Sequence, residues 1–199
     1  MNDINELLID NGISIHHKNN QDYFCSIYNI IPQDDYVLLE FENESYSLYE
    51  IHRGQKIYKI KDNDKEKAII LGIVLYKKMN DSVTDREKVR IIKNLVSKGD
   101  EKLAITYFGE FDDNIYSIGT EERMKISLIK GLNGTSVVYD KKYIVEDVTL
   151  CRAYVVLYNY CKNLKEILSF YHTNKDFING KNIDVQEMIK LYIFWLVTY

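Results

Sequence analysis

Residues 36–61 read YVLLEFE, SYSLYEIH and QKIYKIK in succession, separated only by Asn43-Glu44 and Arg53-Gly54. Each run is rich in aromatic and β-branched residues and alternates apolar with polar side chains over much of its length, as a half-buried strand does. Two-residue links are too short for the crossover that parallel strands need, so the three runs must pair as an antiparallel meander. Tyr46, Leu48 and Ile51 depart from strict period two, which implies a bulge near Glu50. No other stretch restricts the fold as tightly.

The flanking segments add to this sheet and supply its cover. ISIHH and DYFCSIYNII read as strands ahead of the meander, with a break at Pro32, and residues 3–11 as a short helix stopped at Asn11-Gly12. A helix is expected over 64–79, with Ala68, Leu71, Leu75 and Met79 on one face and Ile69, Ile70, Ile73 and Val74 widening it. Thr84 and Glu87 have capping-box spacing for a second helix along Val89, Ile92 and Val96, whose first part Gly99 ends. MKISLI reads as a strand, and TSVVYDKKYIVE as a hairpin turning near Asp140 and Lys141. Over 147–171, Leu150, Tyr154, Leu157, Cys161, Leu164, Leu168 and Tyr171 recur every three or four residues and form one helical stripe. A last helix over 185–199, capped by Asp184 and Glu187, would turn Val185, Met188, Ile189, Tyr192 and Leu196 inward, broadened by Phe194 and Trp195. The fold class is therefore α+β, an antiparallel sheet packed against at least four helices.

Residues 56–78 run basic strand, acidic turn, helix with IVLYKK; residues 141–160 repeat that order with VVLYNY. Two similar hairpin-helix units are the corresponding expectation. A single compact domain over 1–199, built of units at 1–82 and 83–199, suits a chain of 199 residues.

With 46% hydrophobic residues the chain can build a core, and one proline with nine glycines argues against disordered or fibrous classes. Formal net charge is −4, but residues 1–60 hold ten acids against four bases. An acidic first third is a poor match to a phosphate backbone and a better match to a basic protein. The N-terminus carries acids where a signal peptide needs bases, and no apolar run approaches a membrane span. The three cysteines form no paired motif and suit a reducing cytosol. A cytoplasmic protein that binds neither nucleic acid nor membrane is expected.

Chemical motifs are sparse. His16 and His17 point to opposite faces of a strand, so they do not share a metal, and His52 and His172 lie in no ligand spacing. Cys25 has no local nucleophile signature. GEFDDNIYSIG lacks the glycine spacing and Lys-Ser/Thr pair of a phosphate loop. No metal, cofactor or catalytic residue is assigned. Glu40, Glu42 and Glu44 would share one strand face, where water hydrates them unless a partner covers them. Tyrosine supplies rigid area with a polar handle, which favours interfaces. Glu40, Glu42, Glu44, Tyr46, Tyr49, Glu50, Asp62 and Asp64 are thus the candidate partner-binding residues.

The run YSLYEIHRGQKIYKIKDNDKEKAIILGIVLYKK resembles the strand, Arg-Gly turn, strand, acidic turn and helix pattern of some bacterial immunity proteins that neutralise polymorphic toxins, including contact-dependent growth inhibition toxins. The resemblance implies a small, non-enzymatic cytoplasmic protein bound to a toxin catalytic domain, and it carries over no catalytic residue. The alternatives are a small hydrolase or transferase using a cleft carboxylate or Cys25, and a regulatory binding module.

Overall fold

The computed structural model describes residues 3–28, 35–80 and 84–194. It is a mixed α+β fold in which antiparallel sheets pack with several helices. The contacts fall into two compact units, residues 1–82 with 167–199, and residues 83–166.

The first unit begins with α1 (Ile4–Asp10), whose first-turn amides donate to the Asp3 carboxylate. Five strands follow in simple meander order: β1 (Ile13–Lys18), β2 (Gln21–Ser26), β3 (Asp35–Glu42), β4 (Ser45–His52) and β5 (Gln55–Asp62). Each neighbouring pair is antiparallel. The three shortest links are two-residue turns with both residues at positive φ: Asn19-Asn20, Asn43-Glu44 and Arg53-Gly54. That conformation matches the twist of the flanking strands, and asparagine and glycine adopt it most cheaply. Pro32 lies outside the described residues.

The expected bulge sits between Leu48 and Tyr49, beside Glu50. Ile57 pairs with Glu50 and Ile60 with Leu48, so three steps on β5 answer two on β4. Period two then carries Lys59 to the same side as Ile57, which is the interior side.

Helix α2 (Lys65–Asn80) lies across that side of β2–β5. Phe24, Val37, Leu39 and Leu48 are buried on that side of the sheet, and Ala68, Leu71 and Leu75 are buried on the helix face that Gly72 shares. Gly72 is where the layers come closest: a Cβ added there would stand 2.2 Å from the Phe24 ring. α7 (Val185–Ile193), capped by Asp184, packs on α2, and α6 (Lys175–Gly180) precedes it. Residues 195–199, including Trp195 and Leu196 of the expected last helix, lie outside the described residues.

In the second unit, α3 (Arg86–Ser97) is capped by the Asp85 carboxylate, which accepts from the Lys88 amide; Thr84, the expected cap, sits one position too early. Gly99, at φ +84, ends the helical run before α4 (Glu101–Thr106). β6 (Tyr116–Ile118), β7 (Ile126–Lys130), β8 (Thr135–Tyr139) and β9 (Lys142–Val148) form the second sheet. β6 runs parallel to β7, an arrangement the tight-turn pattern did not foretell. β8 and β9 are the expected hairpin, turned by Asp140 and Lys141, both at positive φ. α5 (Leu150–Thr173) follows, and its first part sends Tyr154 and Tyr158 into an aromatic cluster centred on Phe108. The two hydroxyls donate to Glu101 and Glu110 at 2.9 and 2.6 Å. Burial, reinforced by those carboxylates, pushes both phenols up.

Gly72→Ala should destabilise the protein by about 1–3 kcal/mol, because the new methyl overlaps the Phe24 ring. In a Phe24→Leu background the same change should cost less. Urea denaturation of the four proteins measures the coupling.

Candidate functional site

The eight candidate residues separate into three places. Glu42 and Glu44 stand exposed at the β3–β4 tip, with Glu44 in the turn itself at φ +62 and so off the strand face. Beside them Phe41 is 44% exposed, and its ring lies 4.8 Å from that of Tyr46 across the strand pair. Neither Glu42 nor Glu44 has an ion pair among the described residues. The tip therefore combines two uncompensated carboxylates with an aromatic pair of which Phe41 is exposed and Tyr46 half-buried.

Glu40 and Tyr49 lie on the outer side of the sheet, opposite to α2. The register aligns Tyr23, Leu38, Tyr49 and Tyr58 in one row across four strands. Tyr49 and Tyr58 meet edge to face at 5.8 Å, and Tyr23 and Tyr36 lie 5.7 Å apart. Lys56 reaches over the Tyr49 ring at 4.0 Å and pairs with Glu40, which also accepts from Gln21 at 2.5 Å. Glu40 is buried by these partners, so it braces the tyrosines instead of presenting charge. Tyr58 is 49% exposed, and Lys56 and Lys61 are exposed, giving this side a mixed character.

Glu50, Asp62 and Asp64 belong neither to the tip nor to the outer side of the sheet. Asp64 accepts from the Glu66 and Lys67 amides at the start of α2, and Asp62 accepts from the Asp64 amide and pairs with Lys67 at 3.0 Å. They begin the helix. Burial pushes the Asp62 carboxyl up, but the Asp64 amide and Lys67 outweigh it and leave the group below its ordinary value. Glu50 is wholly buried between sheet and helix. Its carboxylate meets Lys59 at 2.8 Å and Lys78 at 3.0 Å, with His52 Nε2 at 3.5 Å. Lys78 also donates to the Phe194 carbonyl at 3.2 Å. Burial alone would raise the Glu50 carboxyl, yet the two ammoniums hold it below its usual range. Burial pulls Lys78 down, and Glu50 offsets only part of that.

Cys25 is buried on the outer side of β2, and burial raises its thiol. His52 shares the interior side with Glu50, so the two do not meet across the sheet. Among the described residues no group of three His, Cys, Asp or Glu is arranged to hold a metal ion, and no helix is long and apolar enough to cross a membrane. Comparisons with protein-family models, curated proteins and solved structures give no match in any of the three.

Sequence reasoning did not find Phe41, Tyr23 or Tyr58 for this surface. The register makes them neighbours of Tyr46 and Tyr49; strand alternation alone could have found Tyr58, two-residue turns being already expected.

Glu50→Gln leaves two buried ammoniums facing a neutral amide and should cost about 3–5 kcal/mol. The pH dependence has a definite sign. The folded carboxyl lies below its unfolded value of about 4.3, so its contribution is complete above that pH and fades as pH falls through the lower, folded value. Urea midpoints between pH 7 and 2.5 should show that acid-side slope in the native protein and a shallower one in the variant.

Proposed function

We propose that this protein is a binding protein that neutralises a bacterial toxin domain by direct contact, and that the β3–β4 tip is part of the interface. The observation that carries the reading is the tip itself: Glu42 and Glu44 without ion pairs, next to exposed Phe41 and half-buried Tyr46. Exposed aromatics anchor interfaces, and unpaired carboxylates select a cationic partner and speed encounter. An enzyme that cleaves a phosphodiester presents such a surface around its active site. The adjoining Tyr49 and Tyr58, braced by Glu40 and Lys56, extend the contact area with little side-chain entropy to lose. The resemblance of residues 46–78 to immunity proteins points the same way.

The internal echo belongs to this reading. β4, β5 and α2 run hairpin then helix, as do β8, β9 and α5, each hairpin turned by two residues at positive φ. We read them as two similar units of one protein, of which the first carries the interface.

Co-expression with the product of the adjacent gene, followed by pull-down and growth rescue, tests the function. A stable complex and restored growth are expected; neither appearing overturns the reading. Within a complex, Glu42→Lys with Glu44→Lys should weaken binding at least tenfold and flatten its salt dependence.

Glu44→Gly separates stability from binding. Glycine suits a positive φ better, so the variant should be more stable by about 0.5–1 kcal/mol in urea denaturation while binding the partner less tightly.

A further inference from the structure

A second feature of the first unit lies away from that tip. An open cavity of about 640 Å³ runs beside β1, walled by Leu8 and Ile9 of α1, Ile13 and Ile15 of β1, and Ile69 of α2. Ile9 is 65% exposed and the neighbouring Ile27 42%. Aliphatic side chains left this open form an apolar trough.

The trough adjoins a free sheet edge. Among the described residues β1 is the outermost strand, paired on one side only, with β2. Its six residues pair in unbroken register, from Ile13 with Ser26 to Lys18 with Gln21. The β1–β2 link is a two-residue turn, so Lys18 and Gln21 are the pair that exchange hydrogen bonds. The Ile27 amide donates to the Gly12 carbonyl at 3.0 Å, which confirms the phase at the other end. Gly12, Ser14, His16 and Lys18 therefore direct their backbone groups toward β2. Ile13, Ile15 and His17 direct theirs outward, and the same residues line the trough. Among the described residues no bulge or proline interrupts this edge, unlike β5 and β9, whose pairings carry register shifts.

We propose that the β1 edge binds an extended polypeptide segment of a partner as a sixth strand, with alternate aliphatic side chains seated in the trough. The outward N–H and C=O groups fix the occupant as peptide backbone, and the isoleucine walls fix the character of every second residue. Charge sets its hairpin end. The Asp22 carboxylate pairs with His17 at 2.7 Å and more loosely with Lys65 at 3.9 Å, and Glu66, which lines the same end, pairs with Lys181; the Lys65 side chain is 54% exposed. The Lys65 ammonium is thus placed for an acidic residue of the segment. This inference is independent of the toxin reading.

The test is selection of random decapeptides displayed on phage against the full chain, with synthetic peptides from the selected clones titrated by fluorescence anisotropy. Selected sequences should alternate aliphatic residues and carry an acid at one end, and amide exchange at Ile15 and His17 should slow on binding. His17→Pro removes an outward N–H without touching the β2 ladder, an exchange edge strands tolerate. It should lower affinity at least tenfold, whereas His17→Ala, which keeps the N–H, should change it less than threefold. Circular dichroism confirms that both variants fold; should His17→Pro not fold, peptides N-methylated at alternate residues supply the same deletion from the other side. Clones without alternation, equal binding by the proline variant or the N-methylated peptides, or no binding at 1 mM peptide would overturn the proposal. So would a homodimer in sedimentation that His17→Pro dissolves, since the occupant would then be β1 of a second copy.

Discussion

The buried pairing of Glu50 with Lys59 and Lys78 is the interaction around which the first unit is organised. A carboxylate wholly out of water is tolerable only with cations against it, and these come from two different elements. Period two along β5 puts Lys59 on the interior side, two residues on from Ile57 opposite Glu50, and the last turn of α2 brings Lys78. The cluster therefore ties strand register to helix placement: a one-residue slip of β5 would remove Lys59 from the interior and strand Glu50. Such ionic groups add less to stability than an apolar core of the same volume, whereas removing one partner leaves a buried charge uncompensated. Here they act together with Phe24 and Gly72, which set the closest approach of sheet and helix.

That arrangement also explains why the acidic character of residues 1–60 does not make one acidic face. The carboxylates are distributed by local role. Glu50 neutralises buried lysines, Glu40 braces the tyrosine row, and the acids just beyond, Asp62 and Asp64, begin α2. What is left exposed and without ion pairs among the meander's glutamates is Glu42 and Glu44, set at a turn beside aromatic rings. Charge counted over a segment overstates a surface when much of it is spent inside the fold.

The meander, both major helices and the β8–β9 hairpin were legible in the sequence because periodicity and turn length are local properties. The bulge was legible because Tyr46, Leu48 and Ile51 break the alternation. The parallel β6–β7 pair was not, since three residues carry no periodic signal and the pairing partner is decided by tertiary packing. Glu50 was misread as a surface group for a related reason: its burial depends on Lys59 and Lys78, 9 and 28 positions away, whose approach follows from strand pairing and from the packing of α2 on the sheet. The cap of α3 went to Asp85 instead of Thr84, a shift of one residue that two adjacent capping acceptors permit.

The division of the chain bears on the order in which it is made. Residues 83–166, which form a unit of their own, emerge from the ribosome between the five-stranded meander and the helices that complete it. Through that interval Lys78 lacks the Phe194 carbonyl, and α2 lacks the flank that α7 later covers. The nascent meander must wait, incompletely sheathed, while a separate unit is synthesised, and chaperones have their longest access to it during that delay.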